Sequence, residues 1–266
     1  MRSRVCQNIS VGLVLSLAGG MSGLACAPAD DTSYIKECSL PTDQKQTLTG
    51  RWSTNPIYIS FREGQFNSVE MNSIMNAADT WNAFYGVNDG FAILDYGSRS
   101  YPRTTQRDMP INLCGNSLVN SSGQFTGSVT IYKDTTWPTT FAASAIAITS
   151  TCTTTATPID KMYIAIMELN FENFFESGKQ VPDLTSIFTH EFGHLLGLDH
   201  SCAQAYSGTM KTHPPLCSGA ALSQDYFDAV MYPVVNFNAD GTGTKRRSLA
   251  TNDQGRANCL YGGNAL

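Results

Sequence analysis

The chain has 266 residues, a length that suits one domain of ordinary size together with an export segment. Its hydrophobic content of 42% is enough to build a core and too high for a disordered chain. The net charge is −5 and no basic stripe is present, so the sequence lacks the positive charge typical of a nucleic-acid-binding protein. The short basic run at residues 245–247 (Lys-Arg-Arg) is expected in a solvated loop.

Residues 1–27 have the features of an export signal. Arg2 and Arg4 precede the apolar residues 11–18, a run far shorter than the roughly 20 residues that span a bilayer, so no transmembrane helix is expected. Two processing routes remain open. Cleavage after Ala25 would leave Cys26 as a lipid-anchored N-terminus, and ordinary signal-peptide cleavage nearby is the alternative. Both routes predict an extracytoplasmic protein, either secreted or held as an outer-membrane or cell-surface lipoprotein.

The cysteines support export. The chain has eight, and six remain if Cys6 and Cys26 are set aside, an even number that is consistent with three disulfides in an oxidising compartment. The predicted pairs are Cys202–Cys217, Cys114–Cys152 and Cys38–Cys259. Six cysteines allow fifteen pairings, so only the local first pair is supported by more than the even count.

The polar residues 28–50 contain several turn formers and predict an N-terminal extension or tether, with the domain proper at residues 51–266. A strand is predicted at residues 57–61 from its β-branched and aromatic content. A helix is predicted at residues 68–85, where Asn67 and Glu70 have the spacing of a capping box. Trp81 lies on its buried face, and Gly86 is placed to end it.

Further elements follow in chain order. Strands are predicted at residues 91–96, 111–114, 128–132, 144–149 and 162–169, with a surface loop at residues 149–157. A second helix is expected to begin at the N-cap Asp183 and to end at Gly197. The last helix, at residues 252–260, has Thr251 and Gln254 in capping-box spacing. This pattern predicts an α+β fold, with a mixed sheet, two long helices and a loop-rich C-terminal part that ends in a helix.

The most informative segment contains His190, Glu191, His194, Gly197 and His200. Residues four apart share one helix face, so His190 and His194 can bind one cation. Glu191 lies about 100° around the helix, beside the metal, where it can act as a general base. Gly197 can turn the chain so that His200 becomes the third ligand. Three neutral imidazoles with an open position are typical of a catalytic zinc site. The alternative, a structural histidine cluster without a partner, is disfavoured by desolvation.

These residues resemble the metzincin zinc peptidases, and in particular the matrixins, over residues 51–262. Met231, in Met-Tyr-Pro, is favoured over Met210 as the methionine that lies beneath the metal in this family. The resemblance implies a metzincin fold with a twisted, five-stranded mixed sheet. It also implies an edge strand at residues 144–149, including Ile146 and Ala147, that binds substrate by strand addition. The wall of the pocket for the residue after the scissile bond would include Tyr232 and Pro233.

The chain also departs from the matrixin pattern. His213 is the only histidine outside the motif, so the second, structural zinc of vertebrate matrixins is not expected. Calcium is a further candidate cofactor, because Asp240 and the loops offer oxygen donors, although no calcium-loop motif is present. Asp199 is either a partner of a ligand histidine or a solvated loop residue.

The motif therefore predicts an extracytoplasmic metalloendopeptidase that hydrolyses peptide bonds in protein or peptide substrates with a zinc-activated water. Two alternatives remain: a surface-binding lipoprotein that retains zinc but degrades nothing, and a processing peptidase with one dedicated substrate. The intact Glu191 argues against the first alternative, because a pure binding module has no need of a base beside the metal. Oligomeric state is not indicated by the sequence.

Overall fold

The computed structural model describes residues 34–110, 113–114, 128–176, 178–205, 214–219 and 222–262. The export signal with Cys26, and also Met210 and His213, lie outside these residues. A compact unit begins at Ile35, whereas the sequence placed the start of the domain at residue 51. None of the helices within the described ranges is long and apolar enough to cross a membrane.

The described residues form one mixed sheet. Its strands are β1 (Arg51–Trp52), β2 (Ile57–Arg62), β3 (Leu94–Asp95), β4 (Thr104–Thr105), β5 (Ser128–Asp134), β6 (Ala147–Thr154) and β7 (Lys161–Asn170). The strand order is β1-β7-β5-β2-β3, with β4 beside β2 and β6 beside β7. All pairs are parallel except β6 with β7. The expectation of five strands was wrong, because three of the seven have only two residues, too few to show a period in the sequence.

Strand β6 corrects two predictions. It runs over Ala147–Thr154, so most of the expected threonine-rich loop is strand, and the expected start at residue 144 is too early. Threonine is polar but favours strands. Within the described ranges β6 pairs only with β7, so its other edge is not covered by any of the seven strands. Of the other predicted strands, residues 91–96 shorten to Leu94–Asp95. Leu113 and Cys114 lie in a turn, and residues 111–112 are not described.

The helices are α1 (Ser68–Asn88), α2 (Leu184–Leu196), α3 (Gln224–Asp228) and α4 (Thr251–Tyr261). The predicted capping box of α1 is present, because Asn67 accepts from the Glu70 amide and Glu70 accepts from the Asn67 amide, both at 2.9 Å. Gly86 does not end α1, which continues to Asn88; the left-handed residue that follows is Gly90, with φ +78°. The predicted capping pair of α4 was also wrong, because the N-cap is Ala250, whose amide donates to Asp253.

Long-range links tie the ends of the domain to this core. All three predicted disulfides are present: Cys38–Cys259, Cys114–Cys152 and Cys202–Cys217. Trp81 of α1 is fully buried and donates from Nε1 to the Thr189 carbonyl of α2 at 2.9 Å, which confirms its place in the core. The packing of α1 on α2 therefore fixes the helix that carries the first part of the histidine motif.

Candidate metal centre

Helix α2 begins and ends as the sequence predicts. The Asp183 side chain accepts the Ser186 amide at 2.9 Å, and Gly197 takes φ +102° directly after the last helical residue. The chain then turns, and one side-chain nitrogen from each of His190, His194 and His200 lies within 4.8 Å of the other two. The motif therefore does bring the three imidazoles together.

Two of the imidazoles are oriented by backbone carbonyls. The His190 Nδ1 lies 2.6 Å from the Val230 carbonyl, and the His194 Nδ1 lies 2.8 Å from the Leu198 carbonyl. A carbonyl oxygen only accepts, so each Nδ1 carries the proton and donates it. In the neutral imidazole this leaves the Nε2 lone pair free to bind a metal.

The donor set fits a zinc ion. Burial, together with the neighbouring imidazoles, lowers the pKa of His190, His194 and His200 to about 3 each, so all three are neutral at pH 7. The Nε2 atoms of His194 and His200 lie only 3.2 Å apart, an arrangement of two lone pairs that a shared cation stabilises. Three neutral nitrogen ligands suit zinc better than calcium, which prefers oxygen.

Gly197 is required by its surroundings as well as by its φ. A Cβ at this position would overlap the backbone carbonyl of Gly50, which belongs to another segment and cannot move as a side-chain tip could. The close approach of residues 50 and 197 thus shapes the turn that leads to His200.

Met231 lies directly under α2. It is fully buried, and its sulfur occupies the space that a Cβ on Gly193 would need. Its carbonyl accepts the Ser201 amide at 2.9 Å, one residue after the third histidine. The buried Asp253 carboxylate holds the amides of Val230 and Met231 at 2.8 and 3.2 Å. These contacts link Met231 to both the helix and the turn of the histidine cluster.

Glu191 lies beside the cluster with 6% of its surface exposed. Burial raises the pKa of its carboxyl to about 7, and a hydrogen bond from Thr149 acts in the opposite direction. The Thr149 hydroxyl donates to Glu191 Oε2 at 2.6 Å. Sequence reasoning placed Thr149 at the end of the edge strand without a role, because nothing in the local pattern links it to a residue on α2.

A cavity of about 730 Å³ opens over the cluster. Its lining includes the three histidines, Glu191 and the four residues predicted to bind substrate, which are Ile146, Ala147, Tyr232 and Pro233. Strand β6 and the segment after Met231 thus lie on the same cavity as the imidazoles.

The basic run at residues 245–247 is not simply a solvated loop, which corrects the expectation. Arg246 is half-buried, lines the cavity, donates to the Val234 carbonyl at 2.7 Å and lies over the Tyr232 ring at 4.8 Å from its centroid. Arg247 forms an ion pair with the N-cap Asp183. Both guanidinium groups therefore contact residues that line the site.

Two expectations about acidic residues can be compared with the structure. The Asp199 carboxylate accepts the His200 amide at 2.7 Å and lies 4.0 Å from the His200 Nδ1, so it sits beside the ligand rather than in a hydrogen bond to its ring. Asp240 accepts from the backbone and hydroxyl of Thr242. Across the described ranges, the three histidines form the one cluster with a metal-binding composition, and nothing supports calcium.

Comparison with known families points to the same segment. Residues 93–212 match the family model described as Matrixin. The match includes the three histidines and Glu191 and stops before Met231. No curated protein sequence matches the chain at a significant level.

Proposed function

The chain carries a matrixin-like metzincin catalytic domain, and we propose that it acts outside the cytoplasm as a zinc-dependent endopeptidase with Glu191 as the general base. The matrixins are zinc metallopeptidases, so the family supports the reaction class. The observation that carries the proposal is the arrangement of three neutral imidazoles and a buried carboxyl on one cavity.

His190, His194 and His200 would hold the metal. Zinc bound by these imidazoles supplies a Lewis acid that activates water and polarises the scissile carbonyl. The helix fixes His190 and His194, while their Nδ1–H bonds to carbonyls set the tautomer and the ring orientation. The protein's part is thus to present three preoriented nitrogen atoms and to leave the side towards the cavity open.

Glu191 would move the proton. A carboxyl whose pKa is near 7 can accept a proton from the attacking water and return it to the leaving amine at neutral pH. The hydrogen bond from Thr149 holds one carboxylate oxygen, so the other remains available for this transfer. Because Glu191 follows His190 directly, the base and the metal ligands are fixed by one helix.

The substrate would bind along β6. Among the described strands β6 pairs only with β7, so its second edge can accept an extended peptide by strand addition. Ile146, Ala147, Tyr232 and Pro233 all line the cavity that contains the three histidines. A peptide on β6 would therefore pass the imidazoles with a side chain directed towards the wall at residues 232–235.

An extracytoplasmic location is supported by the three disulfides, which persist in oxidising compartments. The export signal and the lipid anchor at Cys26 remain predictions from the sequence. A metabolic label for the lipid, compared between the wild-type chain and Cys26→Ser, would separate the two processing routes.

The test is hydrolysis by the zinc-loaded, disulfide-bonded protein with a quenched peptide library and an unfolded protein as substrates. Glu191→Gln is expected to lower kcat/KM at least about 100-fold, the usual contribution of a positioned base, while zinc binding is retained. Glu168→Gln is the matched control. Glu168 is another nearly buried carboxyl whose pKa burial raises to about 7, and it does not line the cavity.

Three outcomes separate the functions. Loss of cleavage in Glu191→Gln and on chelation, with Glu168→Gln active, supports the endopeptidase. Equal loss in both variants would contradict a specific role for Glu191. A folded, zinc-loaded wild-type protein that cleaves neither substrate would contradict broad proteolysis and favour the dedicated-substrate or surface-binding alternatives.

A further inference from the structure

The turn at residues 197–201 carries His200, and much of its backbone is bonded to a distant segment of the chain. The Asp199 amide donates to the Thr47 carbonyl at 2.7 Å, and the Thr49 amide donates to the Gly197 carbonyl at 2.8 Å. Leu48 and Leu198 form an antiparallel bridge between these two bonds. We name residues 44–50 the N-terminal strap.

Gln44, at the start of the strap, reaches the far end of the turn. Its side chain is fully buried and donates from Nε2 to the Ser201 carbonyl at 2.6 Å. Its Oε1 accepts from the Asn252 side chain of α4 at 2.8 Å. Both functions of the Gln44 amide are therefore used, one on each side, and the turn is fixed relative to α4.

Arg256 joins the same three elements. It has no exposed surface, and its Nη1 donates to the Asp199 carbonyl at 2.9 Å and to the Thr47 hydroxyl at 3.1 Å. The Asp253 carboxylate lies 3.9 Å away, and Nε and Nη2 of Arg256 have no hydrogen-bond partner within the part of the chain that the structure describes. A buried guanidinium is costly, so its placement between the strap, the turn and α4 indicates that this arrangement is specified rather than incidental.

We infer that the N-terminal strap, together with Arg256, positions His200 for metal binding, an inference that rests on the proposed zinc site. His190 and His194 receive their geometry from the hydrogen bonds of α2. His200 follows a left-handed glycine and has no helix to hold it. Bonds from the strap and Arg256 to residues 197, 199 and 201 take the place of that helix. Gln44, Thr47, Thr49 and Arg256 are positioning residues, since none of them is one of the proposed metal ligands.

A purely structural role for the segment can be separated from positioning, because the N-terminal region has a second attachment. Asn258 of α4 is buried and donates to the carbonyls of Ile35 and Glu37 at 2.5 and 3.3 Å. These bonds hold residues that precede the strap to the same helix but do not contact the turn. Asn258→Ala is therefore a control, because it removes the bonds to Ile35 and Glu37 and keeps the contacts of the strap to residues 197–201.

The experiment uses the full chain with its disulfides, stripped of metal. Zinc affinity is measured by competition with a chromogenic chelator, and hydrogen exchange is measured at the Asp199 amide of the metal-free protein. Gln44→Ala is expected to bind zinc about 10-fold more weakly, the low end for loss of an outer-shell contact, and to exchange the Asp199 amide faster. Asn258→Ala is expected to match wild type in both measurements.

Each result decides a distinct point. Zinc affinity within twofold of wild type in a folded Gln44→Ala protein, or an equal loss in Asn258→Ala, would overturn the positioning role. If Gln44→Ala does not fold, Thr47→Val, which removes only the hydroxyl that Arg256 binds, decides with the same two measurements. Wild-type protein that fails to bind zinc would overturn the site itself. A wild-type protein that binds zinc but cleaves no substrate would contradict the proposed peptidase activity. In that case the positioning role of the strap would still be supported if Gln44→Ala weakens zinc binding and Asn258→Ala does not.

Discussion

The two halves of the histidine cluster are held by different kinds of structure. His190, Glu191 and His194 lie on α2 and are fixed mainly by bonds between near neighbours in the chain. His200 lies on a turn whose backbone is bonded to a segment some 150 residues earlier, as shown by the separation of 157 residues between Gln44 and Ser201. One part of a metal site can thus be held by local bonds and another by long-range bonds, and the motif indicates the three histidines but not the segment that holds His200.

Gly197→Ala should have the largest effect on stability and zinc affinity, because Gly197 connects the end of α2 to the turn that carries His200. Alanine at φ +102° is strained by about 1–3 kcal/mol, and its Cβ would overlap the Gly50 carbonyl of the strap. We expect destabilisation of at least about 3 kcal/mol in urea unfolding, with loss of zinc affinity. Gly64→Ala is the control, since Gly64 has φ +76° and, apart from its chain neighbours, no atom of the described residues lies within 4 Å of the place that its methyl would take. This variant therefore reports the strain alone.

If Gly197→Ala lost no more stability than Gly64→Ala, the contact between the strap and the turn would be looser than the structure indicates. The strap could then move to accommodate the methyl group. The long-range contacts would in that case not be what holds His200 in place.

Glu191 and His200 should also respond to pH with opposite signs in metal-free protein. Burial raises the pKa of Glu191 to about 7, so the folded state binds more protons than the unfolded state, and wild type loses stability as pH rises from about 4.5 to 7. Glu191→Gln removes this loss, and its stability relative to wild type should increase by about 2 kcal/mol between pH 5 and 8. Urea unfolding at both pH values measures the difference.

The His200 side chain makes the stability depend on pH in the opposite direction. Burial lowers its pKa to about 3, so the unfolded state binds more protons and wild type loses stability as pH falls below about 6.5. His200→Gln should therefore gain on wild type at pH 5 and not at pH 8. Glu168→Gln, in the sheet, should follow Glu191→Gln because burial raises the pKa of Glu168 to about 7 as well. A flat difference for Glu191→Gln alone would mean that the bond from Thr149 offsets burial.

Gly193→Ala tests the helix half with a smaller expected effect. Alanine favours a helix by about 1 kcal/mol over glycine, but here its methyl would overlap the Met231 sulfur. Because the Met231 side chain can shift, we expect a net loss of about 1–2 kcal/mol. Gly86→Ala, in α1 with open space around a Cβ, should instead stabilise by about 0.5–1 kcal/mol. A stabilising Gly193→Ala would show that Met231 does not press on α2.

The same division explains what the sequence could predict. The histidine cluster, the capping box at Asn67, the N-cap Asp183 and the long strand β7 were predictable, because each depends on residues close in the chain. The two-residue strands are too short to show an alternation of apolar and polar residues, and the polar threonines of β6 give it a composition typical of a loop. The packing of the strap on the turn was not predictable, because Gln44 and Thr47 are polar and only the folded chain shows that both are buried.

Thr149 and Arg256 were missed for a related reason. Each acts through residues that are distant in the chain, Thr149 through Glu191, and Arg256 through Asp199 and Thr47. A single polar side chain in a strand or helix carries no spacing that indicates such a partner. The number of disulfides was predictable from the even count of cysteines, whereas among the three pairs only the local Cys202–Cys217 had support beyond that count.

Asp199→Ala should have the smallest effect on zinc affinity. It distinguishes orientation of His200 by the neighbouring carboxylate from orientation by the strap. Its side chain is 50% exposed and accepts the amide of the neutral His200, whereas its backbone makes the bonds to Thr47 and Arg256. Exposed charges of this kind contribute about 0–1 kcal/mol, so we expect zinc affinity to fall less than about fivefold. Asp199→Asn keeps an acceptor without the charge and should match wild type. A tenfold loss in Asp199→Ala, equal to that expected of Gln44→Ala, would mean that His200 is oriented by its neighbouring carboxylate and not by the strap.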